Sequence, residues 1–177
     1  MKALCTMSLL FALAACSHLE TRSPVSVDLS GTWVLDERRS DAPPPLGRRS
    51  RSELDDSDSG DEPPRFSGPM PLLPMVTAKS MTIAQDATSM GVDYPNQPYR
   101  DVKWGTQKRG LYVVEAGWDD KQRLIIQTTS KPLDIRETYS VDASGNTLTL
   151  QIDLNGQRME GRHVTRVFNR RPTEHAQ

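Results

Sequence analysis

The chain runs to 177 residues, 36% hydrophobic and 25% charged with a formal net charge of −1, and its mean hydropathy is −0.58. That length is one domain's worth once a targeting segment and a linker are set aside, and it leaves little room for two catalytic lobes. The hydropathy excludes a polytopic membrane protein, and the near-neutral charge gives no electrostatic reason to expect nucleic acid or another polyanion as partner.

Residues 1–16 read MKALCTMSLLFALAAC. Lys2 supplies a positive start, 4–15 an apolar run too short to span a bilayer as a helix, and Leu13-Ala14-Ala15 a small-residue approach to a cleavage site. Residues 1–15 therefore read as a secretory signal. After Thr6 and Ser8 the run has no polar residue that would suit it to one face of a fold. Leu13-Ala14-Ala15-Cys16 also resembles the bacterial lipobox. The resemblance implies that Cys16 becomes the first mature residue, with diacylglycerol on sulfur and an acyl chain on nitrogen, an anchor in which each buried CH₂ contributes about 0.8 kcal/mol. The other reading is a secreted protein cut near Ala15 with a free Cys16 thiol. Residue 17 is Ser rather than Asp, which in lipoproteins of this kind from Gram-negative bacteria implies sorting to the outer membrane, on its periplasmic side. Cys5 leaves with the signal and Cys16 is spent on lipid, so the mature domain is expected to have no thiol, disulfide or cysteine metal site.

The polar stretch 16–28 reads as a tether, a single domain is expected over 29–171, and 172–177 is a tail. A first strand is predicted at 31–36. Residues 40–74 are rich in Pro, with an Arg cluster (Arg48, Arg49, Arg51) and an acidic run over 53–62. Such a stretch buries too little apolar surface to offset its backbone entropy and reads as a disordered insertion, with partner docking as its second reading. Beyond residue 75 the pattern has period two. Met81 and Ile83 alternate with polar neighbours, then Met90, Val92 and Tyr94, then a short strand at 101–104. Strands follow at 111–116, 123–129, 134–141, 147–154 and 158–168, the cleanest setting Leu148, Leu150, Ile152 and Leu154 against Thr147, Thr149, Gln151 and Asp153. Turn residues separate them, including Asn155-Gly156, a type I′ hairpin signal. Eight or nine strands on short turns make an all-β antiparallel up-and-down meander, predicted to close into a barrel because an open one exposes edges. The alternative is an open half-barrel or β-sandwich.

Ser30-Gly31-Thr32-Trp33 puts a Gly-x-Trp on the first strand, and Arg166, Arg170 or Arg171 offers a basic residue near the end of the last. The pairing is similar to the signature of lipocalin-like (calycin) barrels, in which the Trp plugs the base and the Arg stacks across it. The resemblance implies closure by Gly31, Trp33 and Arg166, the first choice of the three. Segments 118–124 (WDDKQRL), 136–142 (RETYSVD) and 166–170 (RVFNR) resemble a widespread set of uncharacterised bacterial envelope proteins in which a first strand, a Pro/Gly/Arg-rich insert and a strand meander follow one another. This likeness covers roughly 29–171 apart from the insert; it implies a fold and brings no activity with it. The long lid loops and C-terminal helix of calycin pockets are not evident, so a large ligand cavity is not expected.

Reactive chemistry is sparse. His18 falls in the tether and His175 in the tail, and His163, on the face with Met159, Gly161 and Val167, reads as an ordinary surface or core residue. No phosphate loop, cofactor motif or metal ligand set occurs. Alternation points Glu115, with Leu111 and Val113, and Glu137, with Ile135 and Tyr139, to the inside. Two inward carboxylates are either a general acid/base pair or residues neutralised by Arg123, Arg162 or Arg166. Trp104, Tyr112, Trp118 and Tyr139 are the candidate pocket or contact residues. The leading expectation is a non-enzymatic, monomeric outer-membrane lipoprotein with a lipocalin-like domain that binds a small apolar ligand or an envelope protein. The alternative is an envelope hydrolase using the glutamate pair.

Overall fold

The computed structural model describes residues 18–43, 73–131, 133–156 and 161–172. The signal, Cys16 and most of the expected insertion lie outside them. Ten strands follow one another: β1 Gly31–Leu35, β2 Ser80–Gln85, β3 Ser89–Asp93, β4 Arg100–Lys103, β5 Gly105–Arg109, β6 Tyr112–Trp118, β7 Leu124–Thr129, β8 Leu133–Val141, β9 Thr147–Gly156 and β10 Arg162–Arg170, with a single turn of helix, α1 Pro74–Thr77, before β2. Alternation decides the faces, as β9 shows: Leu148, Leu150, Ile152 and Leu154 are buried while the residues between them are half-exposed. Burying one face of each strand also fixes register, because a slip of one residue would turn every apolar side chain outward.

All pairings are antiparallel, and the sheet runs in the order β4-β3-β2-β1-β10-β9-β8-β7-β6-β5. Its two outermost strands, β4 and β5, are separated in the chain by Trp104 alone. The sheet must therefore roll up until its ends meet. Across the meeting line the Gln107 amide donates to the Lys103 carbonyl at 3.0 Å and Arg109 lies 3.9 Å from Asp101. Side chains, not a backbone ladder, bridge the gap, so the result is an all-β barrel, nearly closed, with one unsealed seam. Strand β5 escapes sequence patterning because GTQKR contains no large apolar residue. The Asn155-Gly156 hairpin expected from sequence is not a turn: both residues sit in β9, opposite Asp134 and Leu133. Strand β10 then pairs back antiparallel, with Arg162 opposite Leu154.

The stretch expected as a tether docks on the seam. Glu20 and Trp118 exchange backbone hydrogen bonds of 2.8 and 2.9 Å. Gly117 makes room for this pairing, since a Cβ there would stand 2.7 Å from the Glu20 carbonyl oxygen and 2.8 Å from Leu19 Cβ. The Ser23 hydroxyl donates to the Asp86 carbonyl at 2.8 Å and accepts from the Trp104 indole at 3.1 Å. Gln85 then bonds both Leu29 N and Val27 O, and Leu29 is buried in the core.

At this end of the barrel Trp33 is fully buried and its indole donates to Leu29 O at 2.8 Å. The guanidinium over its ring belongs to Arg170, 4.3 Å from the centroid. This corrects the expected Arg166. Register explains the choice: Arg170 pairs directly with Trp33 across β10 and β1, whereas Arg166 lies four residues farther along the same face. Arg170 also donates to the backbone carbonyls of Gly145, Ser30 and Asp28. Gly31 is required twice over, by its φ of +128° and because a Cβ would stand 2.8 Å from the Arg170 guanidinium.

Arg166 is buried elsewhere and holds the insertion instead. It donates to the carbonyl of Asp41, at the start of the expected insertion, at 3.0 Å and to that of Ala78, shortly after its end, at 3.1 Å. Burial lowers its pKa from the ordinary guanidinium value, partly offset by the Asp41 and Glu37 charges. The expected insertion over 40–74 is thus fixed at both margins: Asp41 exchanges hydrogen bonds with the Thr165 backbone, and Met75 and Val76 of α1 are buried in the core.

Two outcomes are expected. Trp33→Ala should lower stability by about 3–5 kcal/mol, the range for deleting a buried aromatic, measured by denaturant unfolding. The Asp86 carboxylate, held at a pKa of about 2 against an ordinary 3.8 by the Thr88 amide and the Ser89 hydroxyl, contributes stability above the ordinary value. That contribution is lost as pH falls toward 2. Asp86→Asn should therefore lower the melting temperature near neutrality and flatten its dependence on pH between those limits.

Candidate functional site

One polar constellation occupies the interior of the barrel. Glu137 points inward from β8 and is completely buried. Arg100, at the start of β4, reaches it with both terminal nitrogens, Nη1 to Oε2 at 2.7 Å and Nη2 to Oε1 at 2.6 Å. The Tyr139 hydroxyl, two residues along β8, donates to Oε2 at 2.7 Å. Tyr94, following β3, completes the group; its buried hydroxyl makes no hydrogen bond. A bidentate guanidinium–carboxylate pair is the geometry in which a buried charge pair best recovers its desolvation cost. Burial disfavours the Arg100 cation, yet the charge and hydrogen bonds of Glu137 outweigh it and hold the group well above its ordinary value. Burial, then the Glu137 charge, pushes the Tyr139 phenol up, and burial likewise raises Tyr94.

Chemically the Glu137 carboxylate is fully engaged. Both Glu137 oxygens accept charged or phenolic donors, which leaves no oxygen poised to take a proton from a substrate. The expected partner of Glu137 is absent from the interior, because Glu115 is exposed; Val114, Ala116 and Trp118 are the inward residues of β6. Leu111, Tyr112 and Val113 misled the alternation, being exposed apolar residues at the tip of the β5–β6 hairpin. The two glutamates lie on opposite faces, which removes the geometry a two-carboxylate hydrolase needs. None of the three arginines expected to neutralise Glu137 does so: Arg123 pairs with Asp119 at 2.6 Å in the β6–β7 turn, Arg162 is exposed, and Arg166 is the insertion clamp. Arg100 was legible in principle, since it precedes Val102 and Trp104 in alternation on the buried face of a strand. His163 faces outward, on the face it shares with Thr165 and, as expected, Val167, and bonds Asp153 at 2.7 Å and Thr165 at 3.2 Å; Met159 lies outside the described residues.

The four candidate contact residues do not converge. Trp104 and Trp118 meet edge to face with centroids 5.9 Å apart, Tyr139 belongs to the Glu137 cluster, and Tyr112 stands at the hairpin tip, 49% exposed. The interior is occupied by Trp33, Trp118, Tyr94, Tyr139 and Phe168, all fully buried. Among the described residues, a groove of about 260 Å³ opens beside α1, lined by Thr77, Lys79, Tyr94 and Gln97, and one of about 220 Å³ lies beside Gly31 and Arg171. Both fall below the roughly 300–1,000 Å³ of ordinary small-molecule pockets.

Fold and interior together define an all-β, ten-strand antiparallel up-and-down barrel, nearly closed, whose described interior is filled by its own side chains. No family model matches the chain, and no curated protein matches it. Among solved structures, that of a secretary abundant heat soluble (SAHS) protein from Ramazzottius varieornatus is similar at 13% identity, over 52% of this chain and 70% of that chain, with a TM-score of 0.39. The barrel is assigned on the strand order and register of this chain itself.

Arg100→Met should cost about 3–5 kcal/mol, because it leaves Glu137 buried without its charge partner. The double variant Arg100→Met/Glu137→Leu should recover most of that loss. Equilibrium unfolding of the two singles and the double, read as a mutant cycle, measures the coupling.

Proposed function

We propose that this is a non-enzymatic envelope lipoprotein, held on the periplasmic side of the outer membrane by lipid on Cys16, whose barrel serves as a protein-interaction module. The observation that carries the choice of partner over cargo is where apolar surface is exposed. The interior is taken up by the protein's own residues, whereas Leu111 is 85% exposed and Tyr112 and Val113 stand beside it at the β5–β6 tip. Lys108 and Arg109 pair with Val113 and Tyr112 across that hairpin, so the tip is an apolar knob with a basic flank. Tyrosine and arginine beside an aliphatic anchor are the residue types that dominate protein interfaces. The tip suits an apolar depression with acidic surroundings on an envelope protein.

A second reading rests on the groove beside α1, where Tyr94 forms part of the wall. Its volume suits a fragment-sized molecule, not a long apolar cargo.

Mass analysis of the protein extracted from native membranes tests the anchor and the cargo together. The expected species carries diacylglycerol and an acyl chain on Cys16 and no second small molecule; a stoichiometric co-purifying ligand would favour the groove. Cys16→Ser should release the protein from membranes without altering its melting temperature. A photo-crosslinker replacing Tyr112 in cells should trap one envelope protein, and Leu111→Asp should reduce that product at least tenfold while the fold is retained. An undiminished product would move the contact away from the tip.

A further inference from the structure

We propose that the N-terminal segment, docked in the barrel seam, sets the orientation of the barrel on the membrane, with the Trp33 end facing the lipid surface and the β5–β6 tip turned away. The proposal rests on the reading of Cys16 as the lipid anchor and goes beyond it, because an anchor on a loose tether would leave every face of the barrel equally available.

The alternation of strand direction sorts the turns. Those after β2, β6 and β8 lie at the end where β1 begins and β10 finishes, the end that holds Trp33 and Arg170. Those after β3, β5 and β7, together with both margins of the insertion, lie at the other. Every described attachment of the N-terminal segment is at the first end. Glu20 pairs with Trp118, the last residue of β6. The Ser23 amide donates to the Ala87 carbonyl at 3.2 Å, its hydroxyl bonds Asp86, and Leu29 and Val27 are tied to Gln85.

Only four residues take the chain from Cys16 to Glu20. At full extension they reach about 14 Å. Strand β6 alone, from Trp118 back to Tyr112, spans about 20 Å at 3.3–3.4 Å per residue. A lipidated Cys16 therefore stays near the turn after β6 and does not reach the level of Tyr112. Of the acidic side chains at this end, Asp86 bonds the Thr88 and Ser89 amides, Asp119 bonds Arg123 and Asp142 caps its own turn through Asn146 and Thr147, while Glu20, Asp28 and Asp120 are exposed.

The test uses full-length lipidated protein reconstituted into phosphatidylethanolamine–phosphatidylglycerol vesicles that carry an acceptor fluorophore on the headgroups. A single donor is attached through Lys121→Cys, in the turn after β6, or through Lys131→Cys, in the turn after β7; both lysines are exposed. Energy transfer to the headgroups is expected to be at least twofold more efficient from position 121. Equal or reversed efficiencies, with the protein still vesicle-bound, would overturn the orientation and leave the lipid anchor standing. Failure of every form to stay bound would sink the lipid anchor and the orientation with it. A third form carries ten Gly/Ser residues inserted between Ser17 and His18, which leaves the barrel and its docked segment untouched and frees the anchor. The difference between the two positions should then collapse. If it persists, the barrel surface itself grips lipid and the short span is not what orients it.

Discussion

The join at Trp104 constrains everything else in the molecule. A ten-strand meander whose outermost strands follow each other in the chain with one residue between them has no flat solution, and the ring is closed covalently before any hydrogen bond closes it. Closure by a covalent corner leaves a gap in the ladder, since β4 and β5 diverge from that corner. Gln107 and Arg109 reach across part of the gap, and the chain's own N-terminal segment takes the place beside Trp118 that β4 would otherwise occupy. The price of an unsealed seam is thus partly returned as a docking slot, and Gly117 is the residue whose lack of a side chain opens it.

The second constraint is internal charge. Glu137 sits where an apolar residue would be simpler, and everything around it serves to compensate: a bidentate guanidinium, a phenol donor, and a second tyrosine packed alongside. Such a cluster specifies one arrangement of β4 against β8 from across the barrel, because neither charge can leave without stranding the other. It also fills the space that a bound molecule would need and engages both Glu137 oxygens.

The fold was legible where burial and alternation coincide, as in β9, and where one residue type carries a steric demand, as in the Gly-x-Trp of β1. It failed in three places, each for a physical reason. Strand β5 owes its existence to pairing with β6, since its own residues bury little. Exposed apolar residues at the tip inverted the faces assigned to β6 and so brought Glu115 inside on paper. Asn155-Gly156 has turn chemistry, but a longer hairpin keeps both residues in the ladder, with Asn155 Oδ1 accepting from the Gly161 amide at 3.1 Å. The site was harder still. Glu137 and Tyr139 were correctly placed inside, but a bidentate partner 37 residues earlier is a property of register around the barrel, not of local pattern. The Trp33 stack was legible in kind and missed in detail, for only cross-strand register separates Arg170 from Arg166.

Arg166 leaves a different mark on the protein's history. One guanidinium grips the backbone on both sides of the insertion, on carbonyls that any residue at those positions would supply. The barrel therefore meets a loop whose two ends are already pinned, and closure entropy changes only slowly with the length between them. A change in what lies between those two ends need not alter the fit of Arg166 in the barrel.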